Sequence, residues 1–343
     1  MAGKNLKIVF LGAGAIGGSV GGWIAPHYDN LYFLDQGATA AALKEKGITL
    51  YHESDKDAKT KVKVKVLDGL DQAKDADVIV LAVKNFSLDK VAKLVHEKLG
   101  DRPVIVSMAN GVENQRVLPR YFSRVIYCVI SYNAWLDAPG VIGYQKKGPL
   151  IFGTLKNELQ DEMKAIAEVF NRGVETIIVP HIQDAAHCKM VVNLANSATT
   201  LMGHKFREIS DMALYQKILT NLLLEGVNII KAAGFRECKL GGMPSWRTIW
   251  VGVHMPRFIS GPIFRKNVKK MNISSMAQDV LVRKSTETEL DTINGCLVEL
   301  AARHKVPAPF NKTIYEICKA EFAKPGFQPW DVKDVWQKIE RAI

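Results

Sequence analysis

The sequence predicts an α/β protein in which a Rossmann-like, doubly wound parallel sheet is followed by an all-α C-terminal domain. Buried-type apolar runs alternate with helical stretches as far as residue 180, and this order is typical of parallel strands joined by crossover helices. From residue 181 onward the periodicity is helical almost throughout. Because a single core rarely grows beyond ~300 residues, a length of 343 residues favours two domains. We place the first over 1–180 and the helical one over 181–343.

The individual elements follow from hydrophobic patterning. Continuous apolar runs predict strands buried on both faces, and strict alternation of apolar and polar residues predicts a strand with one solvent-exposed face. Apolar residues at helical spacing predict helices. The predicted strands lie at 6–11, 31–34, 61–67 (the alternating one), 78–83, 104–108, 124–130, 149–153 and 175–179. The clearest predicted helices lie at about 87–98, 157–171 and 211–233. Pro180 marks the domain boundary.

The composition is that of a globular protein. Hydrophobic residues make up 48% of the chain and charged residues 24%, which excludes disordered and collagen-like classes. No apolar run approaches the ~18 residues of a membrane span, and residues 1–8 lack the order of a signal peptide. The five cysteines are far apart and lack metal-ligand spacing, so we expect no disulfide framework, no metal site and a cytoplasmic location. The net charge of +11 indicates an anionic partner without identifying it.

A glycine-rich turn follows the first predicted strand at once. Gly12-Ala13-Gly14-Ala15-Ile16-Gly17 matches the dinucleotide-binding pattern in the strand–turn–helix context that its chemistry requires. The first glycine permits the tight turn, the second lets the backbone approach a pyrophosphate, and the third lets the helix pack close to the strand. The helix start offers N–H groups and a partial positive charge to the phosphates. A purely structural glycine-rich turn is the alternative.

An acidic residue ends the second predicted strand. Asp35 lies close to the ~20-residue offset at which a carboxylate binds the ribose 2′-OH of NAD. Because a carboxylate would repel a 2′-phosphate, Asp35 favours NAD, with NADP as the alternative cofactor. A solvated turn aspartate is the competing explanation.

Three polar residues share one face of a predicted helix in the second domain. Lys189, Asn193 and Asn196 lie within ~60° of one another, and apolar residues occupy the opposite face. This pattern is typical of the wall of a polar cleft, where amides bind a substrate oxygen or orient the lysine, and the ammonium donates a proton to a developing alkoxide. A solvated stripe on an amphipathic helix explains the same spacing.

The ordered motifs of the chain resemble the ketopantoate reductase family. The similarity rests on the glycine motif, on Lys189-x-x-x-Asn193, and on further stretches that follow the family's order from about residue 7 to 318. These stretches are Leu81-Ala82-Val83-Lys84, Asn110-Gly111, Ser274-Ser275-Met276-Ala277-Gln278-Asp279, Thr288-Glu289-Leu290-Asp291, Asn294-Gly295 and Val306-Pro307-Ala308-Pro309-Phe310-Asn311. The tail from residue 319 lies outside the resemblance.

The resemblance implies an enzyme that reduces a 2-oxo acid to a 2-hydroxy acid. A nicotinamide cofactor bound to the first domain would deliver hydride to the carbonyl carbon, in a cleft between the two domains. Lys189 would be the general acid that protonates the carbonyl oxygen. Lys84 would contact the phosphate–ribose region of the cofactor, and Asn110 would bind cofactor or substrate. The substrate would be 2-dehydropantoate or a related acid, which connects the family to pantothenate biosynthesis.

Four polar side chains of the second domain complete the implied site. Asn193 and Asn196 would bind substrate, and Ser275 would bind its carboxylate. Glu289 would accept a hydrogen bond from the distal hydroxyl of the substrate. Together with Lys189 it is one of the two predicted catalytic residues.

The chain departs from the family pattern at three places. Asp35-Gln36 stands where members commonly carry an arginine suited to the NADP phosphate, which strengthens the prediction of NAD. The family's second asparagine falls at Ser197, whereas this chain has Asn196. Counting forward from the serine motif selects Glu287 as the site carboxylate, whereas counting back from the downstream motifs selects Glu289, which we favour.

Local structure alone explains some of the same residues. Lys84 fits a surface lysine at a strand end, and Asn110-Gly111 is an ordinary turn pair. The Ser-x-x-Gln pattern from Ser275 and the Thr-x-x-Glu pattern from Thr286 both match capping boxes, so helix initiation would account for Ser275 and Glu289 without a ligand.

Other function classes fit parts of the chain. A non-catalytic NAD-sensing or nucleic-acid-binding protein would explain the charge, but the basic residues are dispersed apart from Arg265-Lys266 and Lys269-Lys270, and no nucleic-acid-binding motif is evident. A sugar-phosphate or opine dehydrogenase of related architecture would lack the Ser-Ser-Met and Asn-Gly motifs. We therefore expect a small anionic 2-oxo acid as partner and neither a nucleic acid nor a membrane. The oligomeric state stays open, with a homodimer as the candidate assembly.

Overall fold

The chain divides into two compact units, Met1–Gln183 and Asp184–Ile343. The structure is a computed structural model and describes residues 5–238, 241 and 244–343. Within these residues all strands belong to the first unit, and the regular structure of the second unit is helical. The predicted fold class, a Rossmann-like sheet followed by a helical C-terminal part, is confirmed.

The described part of the first unit contains twelve strands. They are β1 (Ile8–Leu11), β2 (Leu31–Leu34), β3 (Ile48–His52), β4 (Asp55–Val62), β5 (Lys65–Val66), β6 (Val78–Leu81), β7 (Val104–Ser107), β8 (Val125–Ile130), β9 (Ala134–Ala138), β10 (Val141–Tyr144), β11 (Leu150–Gly153) and β12 (Thr176–Ile178). Eight of them form one sheet in the order β12-β11-β8-β7-β6-β1-β2-β5. Neighbouring strands pair in parallel except for β8 and β11, which pair antiparallel, so that β11 and β12 run opposite to the other six strands.

A second sheet of four strands, in the order β4-β3-β10-β9, did not follow from the patterning. The single strand predicted at 61–67 is wrong, because this stretch is shared between the two sheets. Val62 pairs with Ile48 at the end of β4, whereas Lys65 pairs with Tyr32 at the start of β5. The alternation continues across the break because the valines on both sides of it turn towards apolar neighbours, whichever sheet they belong to.

The helices of the described residues alternate with the strands and then continue alone. They are α1 (Ala15–Ile24), α2 (Gly37–Lys46), α3 (Asn85–Leu99), α4 (Asn114–Val117), α5 (Gln160–Asn171), α6 (Ile182–Leu201), α7 (Met212–Ala232), α8 (Trp246–His254), α9 (Arg257–Lys270), α10 (Ser275–Ala277), α11 (Cys296–His304), α12 (Pro309–Phe322) and α13 (Val332–Glu340). Two π-helical turns, Gln278–Val282 and Asp291–Gly295, lie next to α10 and α11.

Aromatic side chains fill the core beneath the large sheet. The ring of Phe10 on β1 lies 5.5 Å from that of Phe33 on β2 and 6.0 Å from that of Phe170 on α5, and Phe152 on β11 lies 5.2 Å from Phe170. All four side chains are fully buried. Phe170 therefore packs α5 against β1 and β11 on this face of the sheet, and the strand ends remain as the edge that functional loops can use.

In the second unit, α7 is the helix on which the others pack. Glu225 on α7 accepts hydrogen bonds from the backbone N–H groups of Phe310 and Asn311, at 3.0 and 2.9 Å, and therefore fixes the start of α12. The side-chain amide of Asn311 donates to Glu225 and to the carbonyl of Leu222. Burial raises the pKa of Glu225, against the opposing effect of these N–H donors. The Pro-Phe-Asn motif is thus explained by helix initiation.

Candidate active site

Four neighbouring strands of the large sheet end at the same edge. β1 pairs in parallel with both β2 and β6, and β6 pairs with β7, so that their last residues lie side by side. The chain continues from β1 to β2 on one side and returns to β6 on the other, which creates the switch point where open α/β sheets bind ligands. The predicted cofactor residues Gly12–Gly17, Asp35, Lys84 and Asn110 all lie just beyond these four strand ends.

The glycine turn has the geometry that a dinucleotide requires. Gly12 has a positive φ of 98°, and a Cβ there would lie 2.8 Å from the carbonyl oxygen of Ala82; a Cβ on Gly17 would lie 2.0 Å from the carbonyl oxygen of Gly12. A Cβ on Gly14, the residue that precedes α1, would meet nothing within 4 Å. The first turn of α1 contains no acidic residue. The space over Gly14 and the N–H groups behind it fit a pyrophosphate.

Asp35 is tied to the glycine turn. One carboxylate oxygen accepts the N–H of Ala13 at 2.6 Å, and the other accepts the N–H of Gln36 at 2.7 Å. The side chain is partly exposed, and a carboxylate has about four acceptor positions. Asp35 therefore holds the turn and still has acceptor capacity for a ribose hydroxyl.

The loops after β6 and β7 meet through a residue that the sequence reasoning missed. Asn85, which begins α3 next to Lys84, donates its side-chain amide to the carbonyl of Asn110 at 2.7 Å. Gly111 has a φ of +73°, and the chain bends at Asn110-Gly111. Lys84 and Asn110 are both partly buried. The signal that could have identified Asn85 is an amide at a helix start beside a lysine.

In the second unit, α6 carries the predicted polar face, and the face is not a solvated stripe. Asn193 is only 6% exposed, and Lys189 and Asn196 are partly buried. Thr200 lies on the same side, within ~60° of the other three, and is fully buried. The polar face thus extends over three turns of α6.

The far end of this face meets the serine motif. The hydroxyl oxygens of Thr200 and Ser274 lie 3.2 Å apart, and Ser274 caps α10 by accepting the N–H of Ala277. The capping role suggested for Ser275 is therefore wrong. Because the cap is one residue earlier, Ser275 is the first residue inside the helix, and its hydroxyl is not the one that starts α10.

Ser197 occupies the place of the family's second asparagine and has a structural partner. Its hydroxyl accepts the side-chain amide of Asn294 at 2.8 Å and donates to the carbonyl of Leu194 at 2.9 Å. Ser197 and Asn294 are both fully buried. The Asn-Gly motif near residue 294 therefore joins the π-helical turn before α11 to α6, and Asn196 is the asparagine left at the edge of the polar face.

The two candidate carboxylates differ in burial. Glu289 is 5% exposed, whereas Glu287 is exposed to solvent. Helical structure begins at Leu290, whose N–H is accepted by the hydroxyl of Thr288. A capping box formed by Thr286 and Glu289 would require the helix to begin at Glu287. Because the helix begins at Leu290, three residues later, the suggested capping box is wrong.

The cysteine beside Lys189 is not a nucleophile. Burial raises the pKa of Cys188 to about 11, so its thiol is neutral at physiological pH. Its sulfur accepts the N–H of Cys238 at 3.3 Å.

The described residues contain neither a metal-binding cluster nor a membrane-spanning helix. No group of three or more His, Cys, Asp or Glu side chains there is arranged to hold a metal ion. None of the helices in that part of the chain combines the length and the apolar character needed to cross a bilayer.

Both halves of the chain match one family. The model of ketopantoate reductase PanE/ApbA matches residues 8–157, and that of its C-terminal domain matches residues 181–321. The chain belongs to the ketopantoate reductase family. Its glycine turn and Rossmann-type sheet are therefore those of an NAD(P)-binding oxidoreductase.

Individual relatives are distant but extend over most of the chain. A 2-dehydropantoate 2-reductase from Pyrococcus abyssi is 26% identical over 323 residues, which are 94% of this chain and 99% of the relative. A D-mandelate dehydrogenase solved with NADH and anilino(oxo)acetate superposes with a TM-score of 0.74 at 18% identity, covering 92% of this chain and 98% of that one. A dimeric ketopantoate reductase from Staphylococcus aureus superposes with a TM-score of 0.68 at 19% identity, covering 93% and 99%.

Gly14, which precedes α1, and Gly17, in the first turn of α1, make a matched test of the cofactor site. Gly17→Ala should lower the free energy of unfolding by at least ~1–3 kcal/mol, because the new methyl group collides with backbone. Gly14→Ala should leave that free energy within ~0.5 kcal/mol of the original and weaken dinucleotide binding about tenfold or more, because the methyl group fills the space over the turn. Urea unfolding and titration of NADH fluorescence measure the two effects. Equal NADH affinity of Gly14→Ala and the unmodified chain would contradict the assignment.

Proposed function

We propose that this protein reduces a 2-oxo acid, 2-dehydropantoate or a close relative, to the corresponding 2-hydroxy acid. The observation that carries the proposal is the polar face of α6, where Lys189 and Asn193 lie one turn apart on a helix most of whose residues are buried. Membership of the ketopantoate reductase family supports the same reaction. The two parts of the chain then have separate roles, residues 1–180 holding the cofactor and residues 181–343 holding the substrate and the proton donor.

Lys189 supplies the proton. When bound, the reduced nicotinamide provides the hydride that reduces the carbonyl carbon, and negative charge develops on the carbonyl oxygen. The Lys189 ammonium donates a hydrogen bond to this oxygen and transfers a proton to it, so that the C=O bond becomes C–OH and the lysine leaves the step as a neutral amine. The charge of the ammonium stabilises the developing alkoxide before the transfer is complete.

The amides and hydroxyls around Lys189 orient the substrate. Asn193 is held in a buried position on α6, where its amide can donate to the substrate or fix the lysine side chain. Asn196 lies one turn further along the same face. Ser275, next to the Ser274 that Thr200 contacts, offers a hydroxyl to the substrate carboxylate. In the first unit, Asn110 in the loop after β7 is the residue proposed to bind the cofactor or the substrate.

Glu289 is the site carboxylate in this proposal. Its burial favours it over Glu287, because a buried acceptor that hydrogen-bonds a substrate hydroxyl discriminates against analogues that lack this hydroxyl. The distal hydroxyl of 2-dehydropantoate is such a group. Glu289 therefore recognises the substrate and does not exchange a proton with the carbonyl.

The cofactor proposed is NAD. The Asp35 carboxylate stands at the end of β2, where it accepts a ribose 2′-OH and repels a 2′-phosphate. Lys84 lies at the start of α3, on the same edge of the sheet, and its charge suits the phosphate–ribose part of the dinucleotide. NADP is the alternative within the same fold.

The cysteines and the dimeric relative bear on the cellular compartment and the assembly of the proposed enzyme. The five cysteines, all of which lie in described residues, form no disulfide, which supports a reducing compartment and hence the cytoplasm. A role in pantothenate synthesis holds if 2-dehydropantoate is the preferred substrate. The dimeric relative makes a homodimer the assembly to test.

Replacing the proton donor should abolish most of the activity. Lys189→Ala should reduce turnover by about two orders of magnitude or more, because the proposed proton donor to the alkoxide is lost, while NADH binding stays nearly unchanged. The exposed Lys312→Ala on α12 is the control and should have normal turnover. Stopped-flow oxidation of NADH with ketopantoate measures both variants. Normal turnover of Lys189→Ala would remove the catalytic part of the proposal.

Changing the charge at residue 35 should change cofactor preference. Asp35→Asn keeps an acceptor for the Ala13 N–H but removes the charge, so the NADPH-to-NADH ratio of kcat/KM should rise about tenfold. Asp35→Ala should shift the ratio in the same direction and also lower the affinity for both cofactors, since the turn loses its anchor. If Asp35→Asn leaves the ratio as it was, the residue does not contact the ribose.

A panel of 2-oxo acids tests the substrate. Ketopantoate, pyruvate, branched-chain and aromatic 2-oxo acids are compared by kcat/KM, and ketopantoate should lead. Glu289→Gln should reduce kcat/KM for ketopantoate about tenfold or more while changing that for the branched-chain acids little, because these lack the distal hydroxyl. The matched Glu287→Gln should change neither. A uniform loss across the panel in Glu289→Gln would assign the carboxylate a structural role.

A further inference from the structure

Large apolar side chains are exposed on α8 and α9. Phe258 is 80% exposed, Trp250 and Ile263 are each 54% exposed, and Ile259 is 43% exposed. Single exposed apolar residues need no explanation, but several on two successive helices mark a surface that contacts something.

The same segment is strongly basic. Between Cys238 and Gln278 the sequence contains seven Lys and Arg and neither Asp nor Glu. Six of these cations lie in described residues and are exposed to solvent: Arg247, Arg257, Arg265, Lys266, Lys269 and Lys270. None of them takes part in an ion pair with another described residue. The site proposed above does not use these charges.

The exposed apolar side chains and most of the basic side chains of α9 lie on the same half of the helix surface. The buried side of the helix is formed by Ser260, Gly261 and Val268. At about 100° per residue, the opposite half of the helix carries Phe258, Ile259, Ile263, Lys266, Lys269 and Lys270, with Arg265 at its border. Along this half the first turns present Phe258, Ile259 and Ile263, and the last turns present Arg265, Lys266, Lys269 and Lys270. We call this set, together with Trp250 and Arg247 on α8, the docking face.

The charge decides which partner fits the docking face. A second copy in an isologous contact would bring the same cations against one another, and the segment has no acidic residue to offset them. The phosphates of a nucleic acid would pair with the cations. They would offer no apolar contact to aliphatic side chains such as Ile259 and Ile263. The surface of an anionic bilayer offers phosphates for the cations and acyl chains for the apolar groups.

We propose that the docking face binds the surface of an anionic membrane. Phe258 and Ile263 enter the boundary between headgroups and acyl chains, and the cations at the end of α9 contact the lipid phosphates. The sequence led us to expect no membrane partner because no apolar run is long enough for a span; attachment by a surface helix needs no such run.

Vesicle flotation of the purified full-length protein tests this proposal. The protein should float with vesicles of phosphatidylcholine mixed with phosphatidylglycerol, should stay behind with pure phosphatidylcholine, and should be released by high salt, because exposed charges are screened. Lys266→Glu with Lys269→Glu should lower the partition coefficient about tenfold or more. The matched control, Lys61→Glu with Lys63→Glu, changes the net charge equally on an exposed segment of the first unit and should float as the unmodified protein does.

The apolar contribution has its own pair of variants. Phe258→Ser with Ile263→Ser should also lower flotation about tenfold, whereas Leu94→Ser, an exposed apolar residue of α3, should not. If the Phe258 variant does not fold, as judged by its melting temperature, the lysine variants at exposed positions decide alone. The proposal is overturned if the unmodified protein does not float with anionic vesicles, or if the two lysine pairs lose flotation equally. Conversion of a dimer to a monomer by Phe258→Ser with Ile263→Ser, without vesicle binding, would assign the face to a second copy and overturn it as well.

Discussion

The close approach of two backbone segments at the end of β1 determines the cofactor side of this protein. Gly17 lies so near Gly12 that a methyl group on it would stand 2.0 Å from the Gly12 carbonyl oxygen. α1 can therefore begin immediately after the strand, with the N–H groups of its first turn at the carboxyl edge of the sheet. The bond from Ala13 to Asp35 then ties this turn to β2. Any side chain at Gly17 would move the helix start and with it every group that depends on the turn.

The second unit has a comparable constraint of a different kind. The polar face of α6 is held by pairs of side chains, Thr200 with Ser274 and Ser197 with Asn294. A buried hydroxyl or amide must find a partner of suitable geometry, so these contacts define the rotation of the helix more narrowly than apolar packing does. Lys189 lies about two turns from Ser197 and three turns from Thr200 on the same helix, so the same rotation sets the direction of its side chain. The residues that the family pattern marks near 274 and 294 thus serve partly as supports for α6.

The cations of the chain fall into two groups with different proposed roles. A few cations, Lys84 and Lys189 among them, belong to the proposed cofactor and substrate sites. A larger group lies in the segment without acidic residues that includes α9, where it accompanies exposed aromatic and aliphatic side chains. A net charge of +11 is therefore more than a small acid and a dinucleotide require, and its local excess coincides with an apolar surface.

The sequence by itself determined the fold class, the glycine turn and the elements that carry most of the candidate residues, because these depend on local periodicity and on motifs of adjacent residues. It failed where a local pattern is shared by two tertiary arrangements. The valine alternation at 61–67 is the same whether one strand or two are present, and a Ser-x-x-Gln pattern does not say which of two adjacent serines caps the helix. The burial that separates Glu289 from Glu287, the bond from Asn85 to Asn110 and the partner of Ser197 join residues distant in the chain or depend on what surrounds them. Only the tertiary structure decides these, since burial and long-range hydrogen bonds are properties of the packed chain.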